Sequence, residues 1–283
     1  MDINLSSNIA GLCKRGYIYT QTESGAGFCR AASLAALGVP HGFSTREGGV
    51  SDGPYASLNL SWKRCGFTEE VERNFRLFAQ GAGTAYEDMA VVNHEHGCNV
   101  IRLDASHRGR GFDREPLEPC DGIVTDDPAI TLVTSHADCG AYFFYDPVKK
   151  AVGLAHAGWK GTLGRIGARM AQVMAAEFGT DPADIIASTG PCICRDCFEV
   201  DEELGARFAA EFEAEGIKLP GKRPGKAYVD LELAAAVQFI EAGILPENIT
   251  LMGLCTFERQ DWFFSHRRDN GVTGSMAAYI KLP

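Results

Sequence analysis

Two apolar runs, AYFFY (141–145) and AVGLA (151–155), are joined by Asp146-Pro147-Val148-Lys149-Lys150. Asp-Pro opens turns, because proline presets φ at the second turn position. The two runs therefore read as a β-hairpin whose strands are too apolar to face water. A tight turn centred on Pro147-Val148 sets Cys139 opposite His156, and directly opposed residues share a face with Cβ atoms about 4.5–5.5 Å apart. That spacing suits two ligands of one ion, since Zn–S is about 2.3 Å and Zn–N about 2.0–2.1 Å. A slip of one residue would send His156 to the other face, and a packed cysteine and histidine at a strand end is the plainer alternative. A third donor is needed. His94 and His96, in NHEHG (93–97), lie two apart and share a face if that segment is extended. His136 stands at an odd offset from Cys139, which points it away from the Cys139 face. A Cys-His-His set leaves a fourth position open, the arrangement catalytic zinc uses to activate water.

The rest of the chain supplies the frame. LGRIGARMAQVMAAEFG (163–179) is an amphipathic helix, with Leu163, Ile166, Met170, Val173, Met174 and Phe178 on one side and Gly179 at its stop. A second helix is expected over Leu231–Ala242, with Asp230 as N-cap and Gly243 as its end. AVVNHEHGCNVIRL reads as a strand pair, GIVTDDPAITLVTSHAD as a turn at Asp126-Asp127-Pro128 leading into a strand, and 216–230 as a long exposed loop. Strands at hairpin spacing mixed with helices give an α+β class, a single domain over 1–283 of mixed β-sheets flanked by helices.

Composition narrows the function. A net charge of −10 over 283 residues argues against a nucleic-acid partner. No apolar run approaches the ~20 residues of a membrane span. The start, MDINLSSNIAGLCKRG, lacks the order of a signal peptide, so a cytoplasmic location and reduced thiols are expected for the ten cysteines. No Gly-x-Gly-x-x-Gly follows a strand and no Walker loop is present, which leaves the common nucleotide-binding folds unsupported.

Other positions invite chemistry. Ala157-Gly158-Trp159-Lys160-Gly161-Thr162 opens a helix, so its N–H groups with Lys160 and Gly161 suit an anion, or else the glycines serve the turn alone. Arg46, in TREGGVS (45–51), has the fork that recognises phosphate or carboxylate, against a salt-bridged surface loop. Asp138 adjoins Cys139 and is placed to shuttle protons or to cap the turn. Cys192, Cys194 and Cys197 lack an evident fourth partner and read as packing residues. Arg267 and Arg268 support the site or form a surface pair.

The motifs HGFSTREGGVS (41–51), SLNLS (57–61), DGIVTD (121–126), ADC (137–139), YDPVKKAVGLAHAGWKG (145–161), GPCIC..CFEV (190–200) and FFSHRRD (263–269) occur in one order. Together they make the chain resemble the laccase-domain family, the multicopper polyphenol oxidoreductases, from about His41 to the C-terminus. The resemblance implies a fold related to the cytotoxic necrotizing factor catalytic domain. It implies metal ligands at His96, Cys139 and His156, and a cleft that includes Arg46 and Asn59. It also implies a purine nucleoside enzyme that cleaves adenosine, inosine or methylthioadenosine with inorganic phosphate and deaminates adenosine; one branch of the family is described as peptidoglycan editing factors. Two positions depart from the family pattern, His94 for Gln and His136 for Thr, and His94 is a candidate extra ligand. The leading expectation is a zinc enzyme acting on a small-molecule nucleoside. The competitors are copper-dependent phenol oxidation, which the softer Cys/His set permits, and hydrolysis of a cell-wall precursor by Cys139 with His156 as base.

Overall fold

The computed structural model describes residues 9–62, 66, 68–112 and 114–283. Its centre is the hairpin, whose strands Gly140–Asp146 and Ala151–Ala157 are buried almost throughout. They lie inside a seven-stranded sheet ordered Lys14–Arg15, Ile249–Leu251, Ile186–Thr189, Gly140–Asp146, Ala151–Ala157, Gly122–Thr125, Val100–Arg102. Residues Phe143, Val152 and Leu154 pack on one face, and Tyr142, Phe144 and Ala155 on the other. Both faces are covered, so the runs read as continuously apolar rather than alternating.

The register differs from expectation by two residues. Ala141, not Cys139, opposes His156, and Gly140 opposes Ala157. The connection is a longer turn over 147–150: Asp146 Oδ1 accepts hydrogen bonds from Val148 N (2.8 Å) and Lys149 N (2.9 Å), and Lys150 closes it at φ 53°. A slip of two preserves the side-chain face where a slip of one would invert it. Cys139 therefore stands just beyond the paired ladder, diagonal to His156 and on its side of the sheet.

A six-stranded sheet faces this one: Tyr17–Gln21, Gly27–Ala31, His41–Ser44, Met276–Ile280, Thr131–His136, Met89–Val91. Phe43, Leu132, Met276, Ala278 and Ile280 from it meet Ala141, Phe143, Val152 and Leu154 between the sheets. Helix Glu69–Ala82 covers its outer face through Phe75 and Phe78 against Phe28 and Tyr279. Helices Ile166–Phe178 and Leu231–Glu241 cover the outer face of the larger sheet. The result is a mixed α/β single-domain fold of several sheets and flanking helices.

Three expectations change. The strands Met89–Val91 and Val100–Arg102 do not pair, because each belongs to a different sheet and segment 92–99 crosses between them. The Leu163–Phe178 stripe is split into Trp159–Leu163 and Ile166–Phe178 by Arg165 at φ 61°. Segment 216–230 is not a loop: Lys226–Val229 is the central strand of a small sheet, pairing with Lys218–Pro220 on one side and Glu199–Asp201 on the other. The second helix runs Leu231–Glu241, with Asp230 Oδ1 accepting from Leu233 N at 2.9 Å and Gly243 at φ 98° beyond its end. No helix among the described residues is long and apolar enough to cross a membrane.

Candidate metal centre

The site forms where the two sheets part. His156 lies on the same side of its strand as Val152 and Leu154, and Cys139 comes one residue before strand Gly140–Asp146. The crossing segment delivers His96. One donor atom from each of His96, Cys139 and His156 lies within 4.8 Å of the others. His156 is 3% exposed, Cys139 is half-buried and His96 is exposed, so the trio is closed from within and open outward.

Asp121 organises it. This fully buried carboxylate accepts hydrogen bonds from Glu95 N (3.2 Å), His96 N (3.1 Å) and Gly97 N (2.7 Å), which hold the crossing segment with His96 at φ 62°. It also accepts from His156 Nδ1 at 2.8 Å. That bond fixes the tautomer and leaves Nε2 for a metal, the support metal-bound imidazoles ordinarily have. The sequence reading quoted Asp121 within a motif and gave it no role. An acid immediately before the apolar run GIVT was the available signal.

The charges are mutually supporting. Burial alone would push the Asp121 carboxyl up, but hydrogen bonds from His156 and His94 hold it well below the carboxylate range. Burial would raise the Cys139 thiol, yet His156 and His96 bring it down to about 6. Burial would lower His156, but the Cys139 thiolate and Asp121 lift it to about 9. Both shifts favour thiolate and imidazolium for the pair, a state in which a metal would displace the His156 proton.

The two unusual histidines have separate duties. Ser135 N donates to His94 Nε2 at 3.0 Å, so the His94 proton is on Nδ1, which faces Asp121 Oδ1 at 3.7 Å. The His94 ring lies 4.1 Å from that of His156, centroid to centroid. His136 donates from Nδ1 to the Cys139 carbonyl (3.2 Å), and its Nε2 accepts from Thr134 Oγ1 (2.7 Å). Burial, with the charges of His156 and His94, pushes His136 well below its ordinary value and keeps it neutral.

Glycine makes room for an ion. A Cβ on Gly158 would stand 3.1 Å from His96 Cδ2, 3.4 Å from Cys139 Sγ and 3.6 Å from His156 Cε1. Two imidazoles and a thiolate around that gap fit a borderline or soft divalent cation such as zinc or copper. A cavity of about 540 Å³ opens over the trio. Trp62, Trp159, Ile193 and Phe198 form its apolar wall, and Ser135, Asp138, His266 and Arg267 contribute polar groups.

Asp138 is in that wall, at φ 79°, with Oδ1 accepting from Thr256 Oγ1 (2.7 Å) and Oδ2 from Ser265 Oγ (3.0 Å) and Arg267 N (2.7 Å). Arg46, Asn59, Lys160 and Gly161 lie outside the cavity lining. Arg46 donates through Nε to the Ala56 carbonyl (2.7 Å) and stacks 4.4 Å over Phe264. Asn59 is buried, with Oδ1 accepting from Ser275 N at 3.0 Å. Lys160 is exposed, its Nζ 5.6 Å from the Trp159 ring. Gly161 is a close approach: a Cβ there would stand 2.8 Å from the Gly97 carbonyl oxygen. Arg267, left undecided in the sequence, reaches the rim, where it donates to the Glu199 carbonyl (2.7 Å) and lies 5.3 Å over Phe198. Arg268 ties loops together through the Thr256, Phe257 and Phe263 carbonyls. His266, marked in the sequence only by its place in FFSHRRD, lines the cavity beside Arg267.

Residues 40–283 match the family model described as multi-copper polyphenol oxidoreductase laccase. The chain is 38% identical over 262 residues to the purine nucleoside phosphorylase of Deinococcus radiodurans, covering 93% of this chain and 95% of that one. It is 36% identical to the purine nucleoside phosphorylase YlmD of Bacillus subtilis, over 85% and 87% of the two chains. The crystal structure of YlmD from Geobacillus stearothermophilus superposes with a TM-score of 0.87 at 32% identity, covering 94% of this chain and 99% of that one. With residues 40–283 matched by the family model and its fold matched over nearly its full length, this chain belongs to the multi-copper polyphenol oxidoreductase laccase family.

Proposed function

We propose that the protein is a zinc-dependent purine nucleoside phosphorylase that also deaminates adenosine, with inorganic phosphate as co-substrate and His96, Cys139 and His156 as the metal ligands. The observation that carries this reading is the opening of the three-donor group directly into a cavity of about 540 Å³ with aromatic walls, a size and lining suited to a small ligand. The names of the bacterial relatives supply the substrate class. When bound, the metal supplies a Lewis acid and lowers the pKa of water at its open position.

The chain's own groups divide the remaining work. Trp62, Trp159 and Phe198 hold the base and exclude water from it. Arg267 and His266 at the rim take the phosphate, a role the sequence had offered to Arg46, Lys160 and Gly161. Asp138 Oδ1 keeps one acceptor position beside its bond from Thr256 and can take up and return a proton near the ligands.

The test is incubation of zinc-loaded protein with adenosine, with and without phosphate, followed by chromatography. Inosine without phosphate, and adenine or hypoxanthine with ribose 1-phosphate in its presence, are expected, and all should vanish in Cys139→Ala. Activity equal to that of Cys139→Ala in both arms overturns the reading. One observation favours a second reading: Asp121, His156 and Cys139 are aligned as orienting acid, base and thiol, as in a cysteine hydrolase. Activity that survives a chelator would select it.

A further inference from the structure

Away from this centre four donors converge, and two of them, Cys194 and Cys197, read from sequence as packing residues. One donor atom from each of Cys194, Cys197, Cys255 and Glu258 lies within 4.8 Å of all the others. No fourth partner lies near these cysteines in sequence; Cys255 and Glu258 arrive from a segment some sixty residues later.

The geometry is that of two matching turns. Cys194 and Cys197 are separated by two residues, and so are Cys255 and Glu258. Cys194 caps a 3₁₀ turn, Arg195–Cys197, and its carbonyl accepts from Cys197 N (3.1 Å) and Phe198 N (3.0 Å). The carbonyl of Cys255 likewise accepts from Arg259 N at 3.1 Å. A parallel bridge between Cys192 and Cys255 lays the turns side by side, through Cys192 N to the Leu254 carbonyl (3.1 Å) and Thr256 N to the Cys192 carbonyl (3.0 Å). Across the gap Cys194 N donates to Cys255 Sγ at 3.4 Å, the kind of second contact that orients a ligand sulfur. Cys197 Sγ lies 3.7 Å from Glu258 Oε1.

We propose that Cys194, Cys197, Cys255 and Glu258 form a second metal site, a closed tetrahedral centre for one zinc ion. Three thiolates exclude hard cations such as magnesium and calcium, and four protein donors leave no open position. The site is therefore structural, in contrast to the three-donor centre beneath the cavity. Its effect is local and specific. The ion clamps segment 192–198 to segment 254–258, and these contribute Ile193 and Phe198 to the cavity wall and Thr256 to Asp138. The inference stands independently of the reaction proposed above.

Metal stoichiometry and cobalt spectroscopy test it on the full chain, reduced and loaded without oxygen. Two zinc ions per chain are expected in the wild type and one in Cys139→Ala. Cobalt-loaded Cys139→Ala should show intense thiolate-to-metal charge-transfer bands with a tetrahedral ligand-field pattern. Because Cys255 is buried and its loss could perturb folding, the exposed Glu258 supplies the decisive variants. Glu258→Ala in the Cys139→Ala background should weaken zinc by at least the ~10–100-fold that loss of a supporting partner costs elsewhere, and Glu258→Cys should tighten it. Folded Cys139→Ala that binds no zinc, cobalt bands without thiolate character, or a Cys194–Cys197 disulfide in the reduced preparation overturns the proposal. Equal zinc affinity in Glu258→Ala overturns the four-ligand centre as assigned.

Discussion

Gly158 shows how much chemistry can rest on a missing side chain. Its φ of −72° is open to any residue, so backbone strain does not require glycine there. The constraint comes from the three donors, because a methyl group would press on His96 and fill the gap beside Cys139 and His156. Gly158→Ala is accordingly expected to keep or raise stability, by about 0.4–1 kcal/mol from the stiffer unfolded chain, while weakening zinc. Thermal unfolding of the chelated protein and a competitive zinc titration separate the two effects. Cys139 carries the pH dependence. Its thiol is depressed to about 6, so the thiolate is present above that pH and is lost as pH falls through it. Iodoacetamide labelling of metal-free protein, read peptide by peptide by mass spectrometry, should show Cys139 labelling rise with a midpoint near 6. Cys29 and Cys120, which burial pushes up to about 12, should stay unlabelled across the neutral range. A Cys139 midpoint near that of an ordinary thiol would contradict the thiolate–imidazolium pair.

At the scale of the element, the hairpin turn is the part on which the site's register depends. Asp146 is fully buried and its Oδ1 receives two backbone N–H groups of the turn. Asp146→Ala removes both acceptor contacts and should cost about 1–3 kcal/mol. Asp146→Asn, which keeps an acceptor oxygen, should recover much of it; urea unfolding measures both. Equal stability of the Ala and wild-type proteins would mean that strand pairing alone sets the turn. The same hairpin marks the limit of local inference. Asp-Pro announces a turn but does not fix its length, and the longer loop moved the ladder by two residues. Cys139 nevertheless stays on the face of His156, because side chains repeat every two residues along a strand. The Arg165 break was hidden for a related reason: the apolar stripe continues through it, while its left-handed φ lies in no periodicity.

For the whole molecule, the two facing sheets are what bring the three donors together, and Phe143 lies at their contact, fully buried and edge-on to His41 at 5.7 Å. Phe143→Ala is expected to cost about 3–5 kcal/mol through the cavity it leaves, and Phe143→Leu distinctly less, both read as shifts in the urea midpoint. A loss below 1 kcal/mol for Ala would show that the sheets close over the gap. The sequence by itself determined the buried hairpin, the main helices, the chain's family and three donors of the right chemistry, because each is written in local periodicity or in a short ordered motif. Only the tertiary structure decided that Asp121 anchors both His156 and the His96 segment. The same is true of His94, which turns to Asp121 and Ser135, of Arg267 in place of Arg46 at the cavity, and of the meeting of Cys194 and Cys197 with Cys255 and Glu258. Each of these depends on segments crossing between sheets or returning from far along the chain, and no local pattern records where a distant segment will stop.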